Sequence, residues 1–374
     1  VLTLAQNGYT RTEVVAALTA ASRSWAFRYE LLGLDNELLG ELGHVTSASV
    51  EYNALARVNG TGKFVTEETD EVDYLRDRIR PWARLTMPAN DRGDPRWAEW
   101  PVGVYLLSTP TRQTTRSGRV IRDLKGMDQG LVLEDDKVAD RYHVEAGTSY
   151  TDAVVALVGD LVPELMVVPT SLVLPADKEW KPGTSRAAIA GELLTAANYS
   201  SLYFDGFGVG QVRPYTSPQD RVASWDYANG PSSVILPEVA QERDLYGIAN
   251  RWVLYASEPD SPPLVSERTN DSPASPTSTV NRGRTITDFR EAEGDAPDQA
   301  TLDARVERLA FEASQVYEAV EFTTGLMPFH EHGEVYTVGV GPLGLAAKFS
   351  EHTWGMELRA GATMKHRARR VVTV

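Results

Sequence analysis

Two periods of hydrophobic spacing divide this chain. Between Arg11 and Ser24 the apolar Val14, Val15, Leu18 and Ala21 recur at helical spacing, with Thr12 placed to cap a short helix. At Trp25 the period drops to two: Trp25, Phe27, Tyr29 and Leu31 alternate with Ala26, Arg28 and Glu30, as in a half-buried strand. After a turn at Asp35-Asn36, the alternation resumes at Ala48, Val50 and Tyr52. Asn59-Gly60 then marks a hairpin, because both residues tolerate left-handed backbone. Glu71 to Arg80 suits a helix or a strand equally. Val102–Ser108 and Arg119–Lys125 read as strands that meet at a turn near Ser117-Gly118.

The middle of the chain returns to the helical period. Thr148 is placed to cap a helix carrying Val154, Val155, Val158 and Leu161 that Pro163 ends, and residues 182–185 open a second with Ile189, Leu193 and Leu194 inward. Ser201–Phe204 and Val209–Tyr215 bracket a hairpin turn at residues 205–208. Beyond it Trp252–Tyr255 is a strand, and Ser257 to Arg284 is a long aperiodic loop rich in Pro, Ser, Asn and Thr. Thr301 to Tyr317 carries an apolar stripe of Leu302, Val306, Leu309, Ala310 and Ala313, the pattern of a packed helix. Glu318–Thr324, Val335–Val340 and Phe349–Leu358 read as strands, the last with His352, Trp354, Met356 and Leu358 on one face. The fold class expected is mainly β with α+β. A helical arm (1–24) precedes a barrel-like β domain (25–139), an α+β insert (140–222) and a second barrel-like β domain (223–374) that carries the 257–284 loop and the 301–317 helix.

Composition narrows the functions. The chain has 374 residues, enough for several domains, and 52 acidic against 37 basic residues give a net charge of −15. Nucleic-acid binders draw their affinity from phosphate neutralisation, so this charge excludes general nucleic-acid binding. The absence of cysteine removes disulfides, thiolate metal sites and thiol nucleophiles. Val1 to Leu18 lacks the basic start and apolar block of a signal peptide, and no apolar run reaches membrane-spanning length, so a soluble protein is expected.

The candidate chemistry is sparse. Residues 339–344 match the glycine spacing of a dinucleotide fingerprint, yet Pro342 interrupts it and no helix follows to hold a pyrophosphate. His330 and His332 would face one side of a strand and share a metal with Glu334 or His352, but Pro328 and Gly333 favour an exposed polar turn there. Glu67, Glu68, Asp70, Glu71 and Asp73 form a contiguous run, which is solvated surface rather than an acid–base pair across a cleft. No Gly-x-Ser-x-Gly elbow occurs. Lys365, Arg367, Arg369 and Arg370 form a basic end suited to an acidic neighbour or to solvent. No enzyme, metal or cofactor is expected from these residues.

The order of segments is more telling than any motif. Trp25–Leu32 is followed by Leu39–Gly43, His44–Asn53, Asp73–Pro81 and Trp100–Pro110. Gly147–Ala153, Gly183–Ser185 with its helix and Tyr199–Gly206 come next, and Asn281–Arg284, Thr301–Tyr317 and Met327–His330 close the series. In this order the chain resembles the tail-tip hub, or minor tail, proteins of long-tailed phages infecting actinobacteria and related hosts. That resemblance implies a structural virion protein of the tail tip, assembled in the host cytoplasm. It implies a homotrimer whose two barrel-like domains per chain adapt a hexameric tail tube to the tip. Distal tail and tube proteins would lie above it and a fibre or tip protein below, with DNA passing unbound through the lumen. Arg268, Arg282 and Arg284 on the long loop are then the expected contacts to a neighbouring subunit, since guanidinium forks suit interface carboxylates and carbonyls. The competing readings are a cell-wall-degrading tail protein, which would need two carboxylates or a His-bearing metal site in a cleft, and a carbohydrate-binding one, suggested by eight Trp and fifteen Tyr. A distal tail ring protein, hexameric rather than trimeric, is a nearer alternative.

Overall fold

The computed structural model describes residues 2–68, 72–89, 96–108, 111–230, 233–243, 245–256, 263–292, 298–315 and 318–371. The first helix spans Arg11–Thr19 and is capped by Thr10 rather than Thr12. Glu13 N donates to the Thr10 hydroxyl at 3.3 Å, and Thr10 N donates to the Glu13 carboxylate at 2.7 Å, a reciprocal capping box. The arm before it docks on the first β region, where Trp100 Nε1 donates to Thr3 O at 3.1 Å and Leu2, Leu4 and Tyr9 are buried.

The alternation at Trp25 becomes the strand Trp25–Leu32, paired antiparallel with Arg78–Thr86 from Trp25 opposite Leu85 to Leu32 opposite Arg78. Where the 71–80 stretch suited either period, the chain turns at Asp73, whose carboxylate accepts from Leu75 N at 3.0 Å, and enters a strand at Arg78; residue 71 lies outside the described residues.

Fifteen strands among the described residues form one sheet. From edge to edge its main path is Ile235–Arg243, Glu318–Gly325, Thr363–Arg370, Leu345–Glu357, Val45–Asn53, Gly60–Glu67, Val120–Asp128, Tyr105–Leu107, Arg78–Thr86, Trp25–Leu32 and Leu38–Glu41. The fold is thus mostly β, as expected, but no closed barrel forms among the described residues. The reason lies in one strand. Leu345–Glu357 is 13 residues long, more than twice the usual strand length, and it serves both β regions in succession. Its start pairs with Val335–Val340 and its middle with Thr363–Arg370, while residues 353–357 pair with residues 49–53. The sheet of the last third therefore continues into that of the first.

A single apolar core follows from that continuity. Phe64, Ile79 and Trp100 from the first region belong to the same buried cluster as Tyr336, Phe349 and Met364 from the last. At the seam Trp354 stacks on Tyr52, with ring centroids 5.6 Å apart and planes 11° from parallel. A β-bulge between Glu351 and Thr353 shifts the phase of the long strand, so Phe349 and Glu351 are buried before it and Trp354 and Met356 after it.

Two smaller cores stand apart. The helices Tyr150–Val158 and Arg186–Ala196 pack over Val162, Leu174, Phe204 and Val212. Ser149 and Ser185 occupy the N-cap positions, where Thr148 was expected for the first. The other core is Trp252, Leu254 and Ala256 beneath Leu302, Val306 and Ala310 of the helix Gln299–Gln315. That helix starts two residues before the expected Thr301, whose N donates to Asp298 at 2.7 Å; residues 316 and 317 lie outside the described residues. Part of the expected 257–284 loop is ordered structure: Leu264–Thr269 pairs antiparallel with Arg251–Ala256, while residues 257–262 lie outside the described residues. No helix among the described residues is long and apolar enough to cross a membrane.

Replacing Trp354 by Ala is expected to cost about 3–5 kcal/mol, as for other large aromatic truncations in a core, read as a lower urea midpoint. Because one core underlies both β regions, hydrogen exchange of wild-type protein should show strands 60–67 and 363–370 opening together. Separate openings would contradict the shared core.

Candidate functional site

A wholly buried cluster of ionisable groups lies beneath the long strand. His330 comes from the turn after Glu318–Gly325, Glu351 from Leu345–Glu357 and His366 from Thr363–Arg370. The Glu351 carboxylate bridges both rings, at 2.5 Å from His330 Nδ1 and 2.6 Å from His366 Nδ1. The outer ring nitrogens are also engaged: His330 Nε2 lies 2.6 Å from Tyr227 Oη and His366 Nε2 2.9 Å from Thr324 Oγ1. The side chains of His330 and His366 are wholly buried and that of Glu351 is 2% exposed.

Burial alone raises a carboxyl pKa and lowers an imidazole's. At Glu351, burial is outweighed by the charges and hydrogen bonds of His330 and His366, which hold its carboxyl down at about 2. At His330, burial is outweighed by Glu351, so its pKa is raised; at His366, burial prevails and lowers it. The Glu351 carboxylate is therefore held between two imidazoles whose pKa values are shifted in opposite directions. Burial raises the nearby Glu334 carboxyl against the pull of His330. One donor atom from each of His330, Glu351 and His366 lies within 4.8 Å of the others, a donor set that zinc accepts. In this structure those atoms are committed to one another and to two hydroxyls, so the cluster acts as a polar strut through the core.

The two histidines singled out from the sequence are not brought together. The turn at residues 328–333 is present, but it is packed rather than exposed, because its aromatic and imidazole rings find partners. His332 Nδ1 lies 2.9 Å from Tyr52 Oη, and its ring stacks on Tyr203 at 4.2 Å, away from His330. Glu351 and His366 were missed. Their signal was a polar residue in phase with apolar ones: Phe349 with Glu351, and Met364, His366 and Ala368 in alternation.

The remaining candidates are placed as follows. Arg268 Nη1 is 3.4 Å from Glu307, Arg282 Nη1 donates to Ile248 O at 2.6 Å, and Arg284 Nη2 donates to Tyr246 O at 3.3 Å. Each of the three thus has a partner within its own chain. Glu67 pairs with Arg119 at 2.5 Å and Glu68 with Arg112 at 2.7 Å, while Asp70 and Glu71 lie outside the described residues. Residues 341–343 form a short 3-10 turn between strands, as the interrupted glycine motif suggests. At the 205–208 hairpin turn, Asp205 accepts from Phe207 N and Val209 N at 3.0 Å each, and Gly208 takes a φ of +87°.

The main path of the sheet ends in two unlike strands, and Trp97–Pro101, Thr111–Thr114 and Asp226–Ala228 branch from it with one partner each among the described residues. Leu38–Glu41 pairs only with Trp25–Leu32 among the described residues and leaves Leu38 61% and Leu39 53% exposed. At the far end Ile235–Arg243 pairs only with Glu318–Gly325. Such strands present unpaired backbone groups to a further strand.

No family model matches the chain, and no curated protein sequence matches it. Solved structures do. The tail protein from Neisseria meningitidis superposes with a TM-score of 0.64 at 12% identity, over 92% of this chain and 96% of that one. The 43 kDa tail protein of prophage MuSo2 from Shewanella oneidensis gives 0.63 at 10% identity, over 92% and 98%. Prophage tail protein gp18 from Listeria monocytogenes gives 0.54 at 10% identity, over 91% and 94%. At such identities the likeness is one of fold, and it runs nearly end to end.

The buried cluster sets an expected acid response. A carboxylate with a lower pKa in the folded state stabilises above its unfolded value, and that contribution disappears as the pH falls through the folded value. For Glu351 this means roughly 3 kcal/mol lost between pH 4.5 and about 2. Glu351→Gln should remove that acid limb and cost about 3–5 kcal/mol at neutral pH by leaving buried imidazoles unpaired. Urea melts of both proteins across this range measure it.

Proposed function

We propose that the chain is a structural virion protein, the hub at the tip of a long-tailed phage's tail. Three copies close a ring that joins the hexameric tail tube to the tip or fibre and surrounds the DNA channel. The observation that carries this reading is the continuous sheet with a free strand at each end, in a chain that shares its fold with three tail proteins. Two unlike free edges are what a head-to-tail contact uses, and such contacts close into rings when the rotation per subunit divides a full turn.

In this reading the two β regions, 25–139 and 223–374, act as two barrel-like elements per copy, so three copies offer six to a sixfold tube. The insert 140–222 stands outside the ring. The unit bearing Arg268, Arg282 and Arg284 faces the neighbouring subunit, where the guanidinium nitrogens not used within the chain meet its carboxylates and carbonyls. The net charge of −15 per copy keeps the lumen from holding DNA by its phosphates. Distal tail and tube proteins lie above and a fibre or tip protein below. The host is an actinobacterium or a related cell, in whose cytoplasm the tail is assembled.

Light scattering on the purified chain is expected to give three times 41.1 kDa. Placing lysines on the edge, as Leu38→Lys with Leu39→Lys, should return the single-chain mass with an unchanged circular dichroism spectrum. A wild-type chain that stays single at high micromolar concentration overturns the reading, and a hexamer redirects it to a distal ring. Clearing of host cell wall in a zymogram would replace it with the enzymatic alternative.

A further inference from the structure

A groove of about 560 Å³ runs between the helices Arg186–Ala196 and Gln299–Gln315 and the C-terminal strands. Its two walls differ, and other charged groups that line it, Arg57, Glu192 and Glu312, are each paired within the chain. One wall is made of small side chains, with Ala187, Ala188 and Gly191 on the first helix and Ala54 and Ala56 on the turn that follows Val45–Asn53. The other carries Arg221, Arg308, Arg369, His332 and His352.

In a chain with 52 acidic residues, cations usually find carboxylates, and the last strand shows both outcomes. Arg367 Nε is 3.3 Å from Glu321, and Arg370 Nη1 is 2.8 Å from Glu318. Arg369, between them, lines the groove half-buried and pairs with no carboxylate among the described residues. The carboxylate whose charge reaches it is Glu312, which Arg308 already holds at 2.8 Å.

The other groups on this wall are only partly engaged within the chain. His352 Nδ1 is buried without a hydrogen-bond partner. Burial first, and then the charge of Arg369, pushes the His352 pKa down to about 4; burial and then Arg221 do the same to His332. Arg221 gives Nε to Thr216 O and Nη1 to Gly333 O, while Arg308 gives Nε to Glu312 and Nη1 to Tyr199 O. Each is left with a single uncommitted nitrogen, Nη2.

The opposite wall contains an unexplained choice of residue. Gly191 lies in the interior of its helix, where glycine is less stable than alanine, and an added Cβ there would meet no atom within 4 Å. Nothing in this chain needs the missing side chain. Glycine at such a position allows another backbone to approach closely.

We propose that this groove is the docking site for an acidic segment of a partner polypeptide, with Arg369 as its carboxylate anchor. Arg369 offers a whole guanidinium fork, which suits a carboxylate, and Arg221 and Arg308 add one uncommitted nitrogen each for further acceptors along the segment. The small-residue wall takes the segment's backbone.

The probe is a fluorescein-labelled octapeptide of alternating Gly and Glu, titrated by anisotropy against the full chain. Saturable one-to-one binding is expected, weakened at least tenfold by Arg369→Gln and by Gly191→Glu, with no binding of the Gly–Gln counterpart. Gly191→Glu projects into open space, so its melting temperature should stay at or above wild type; it decides the matter if Arg369→Gln fails to fold. No saturable binding, or binding that Gly191→Glu leaves unchanged, overturns the proposal. Inorganic phosphate that competes as well as the peptide, charge for charge, would assign the groove to a small anion. Self-association abolished by Gly191→Glu would assign it to a second copy of the chain. The mass of wild-type protein tests the hub reading separately.

Discussion

The antiparallel pairing of residues 353–357 with residues 49–53 is the contact on which the rest of the molecule depends. Five cross-strand partners join two sheets that are far apart in sequence, and the joined sheet then has one apolar core instead of two. The seam is reinforced by side chains on both sides of it. Trp354 stacks on Tyr52, and the Tyr52 hydroxyl meets His332, whose ring rests on Tyr203 of the helical insert. First region, last region and insert thus converge within a few residues of one strand pair.

The same strand resolves an electrostatic conflict. Glu351 is two residues from the seam and almost fully buried, where an isolated carboxylate would be strongly unfavourable. Two imidazoles on neighbouring elements hydrogen-bond to it, and two hydroxyls complete their hydrogen bonds. Such a network is favourable only when every member is satisfied, so it specifies the relative positions of five elements more sharply than apolar contacts do. The groove wall next to it presents the opposite case, with Arg369 paired with no carboxylate among the described residues.

Local period made much of this architecture legible. The strand at Trp25, the helix opened by residues 182–185 and the apolar stripe from Leu302 to Ala313 were readable because each repeats one spacing without interruption. The long strand was readable only in part. Its bulge moves the buried positions from Phe349 and Glu351 to Trp354 and Met356, and a single-phase reading groups His352 with the wrong neighbours. Pairing partners distant in sequence leave no periodic trace, so the seam, and with it the absence of barrel closure, was not visible. Leu264–Thr269 was hidden by its polar alternate residues and by the Pro- and Ser-rich segment around it. The acid cluster at Glu67 and Glu68 was readable as surface charge, and its arginine partners come from strands that only the fold brings near.

The smallest core has a dynamic consequence. Among the described residues, Trp252, Leu254 and Ala256 meet Leu302, Val306 and Ala310 in a cluster of six, against forty in the main core. Free energies of local opening scale with such burial, so this three-stranded, one-helix unit is the part that detaches at least cost while the large sheet stays closed. Its polar corner, where Asn250 and Asn270 each bond several backbone and hydroxyl groups, lets it open and re-form as one piece rather than fray. The molecule is therefore stiff along its sheet and compliant at one appendage.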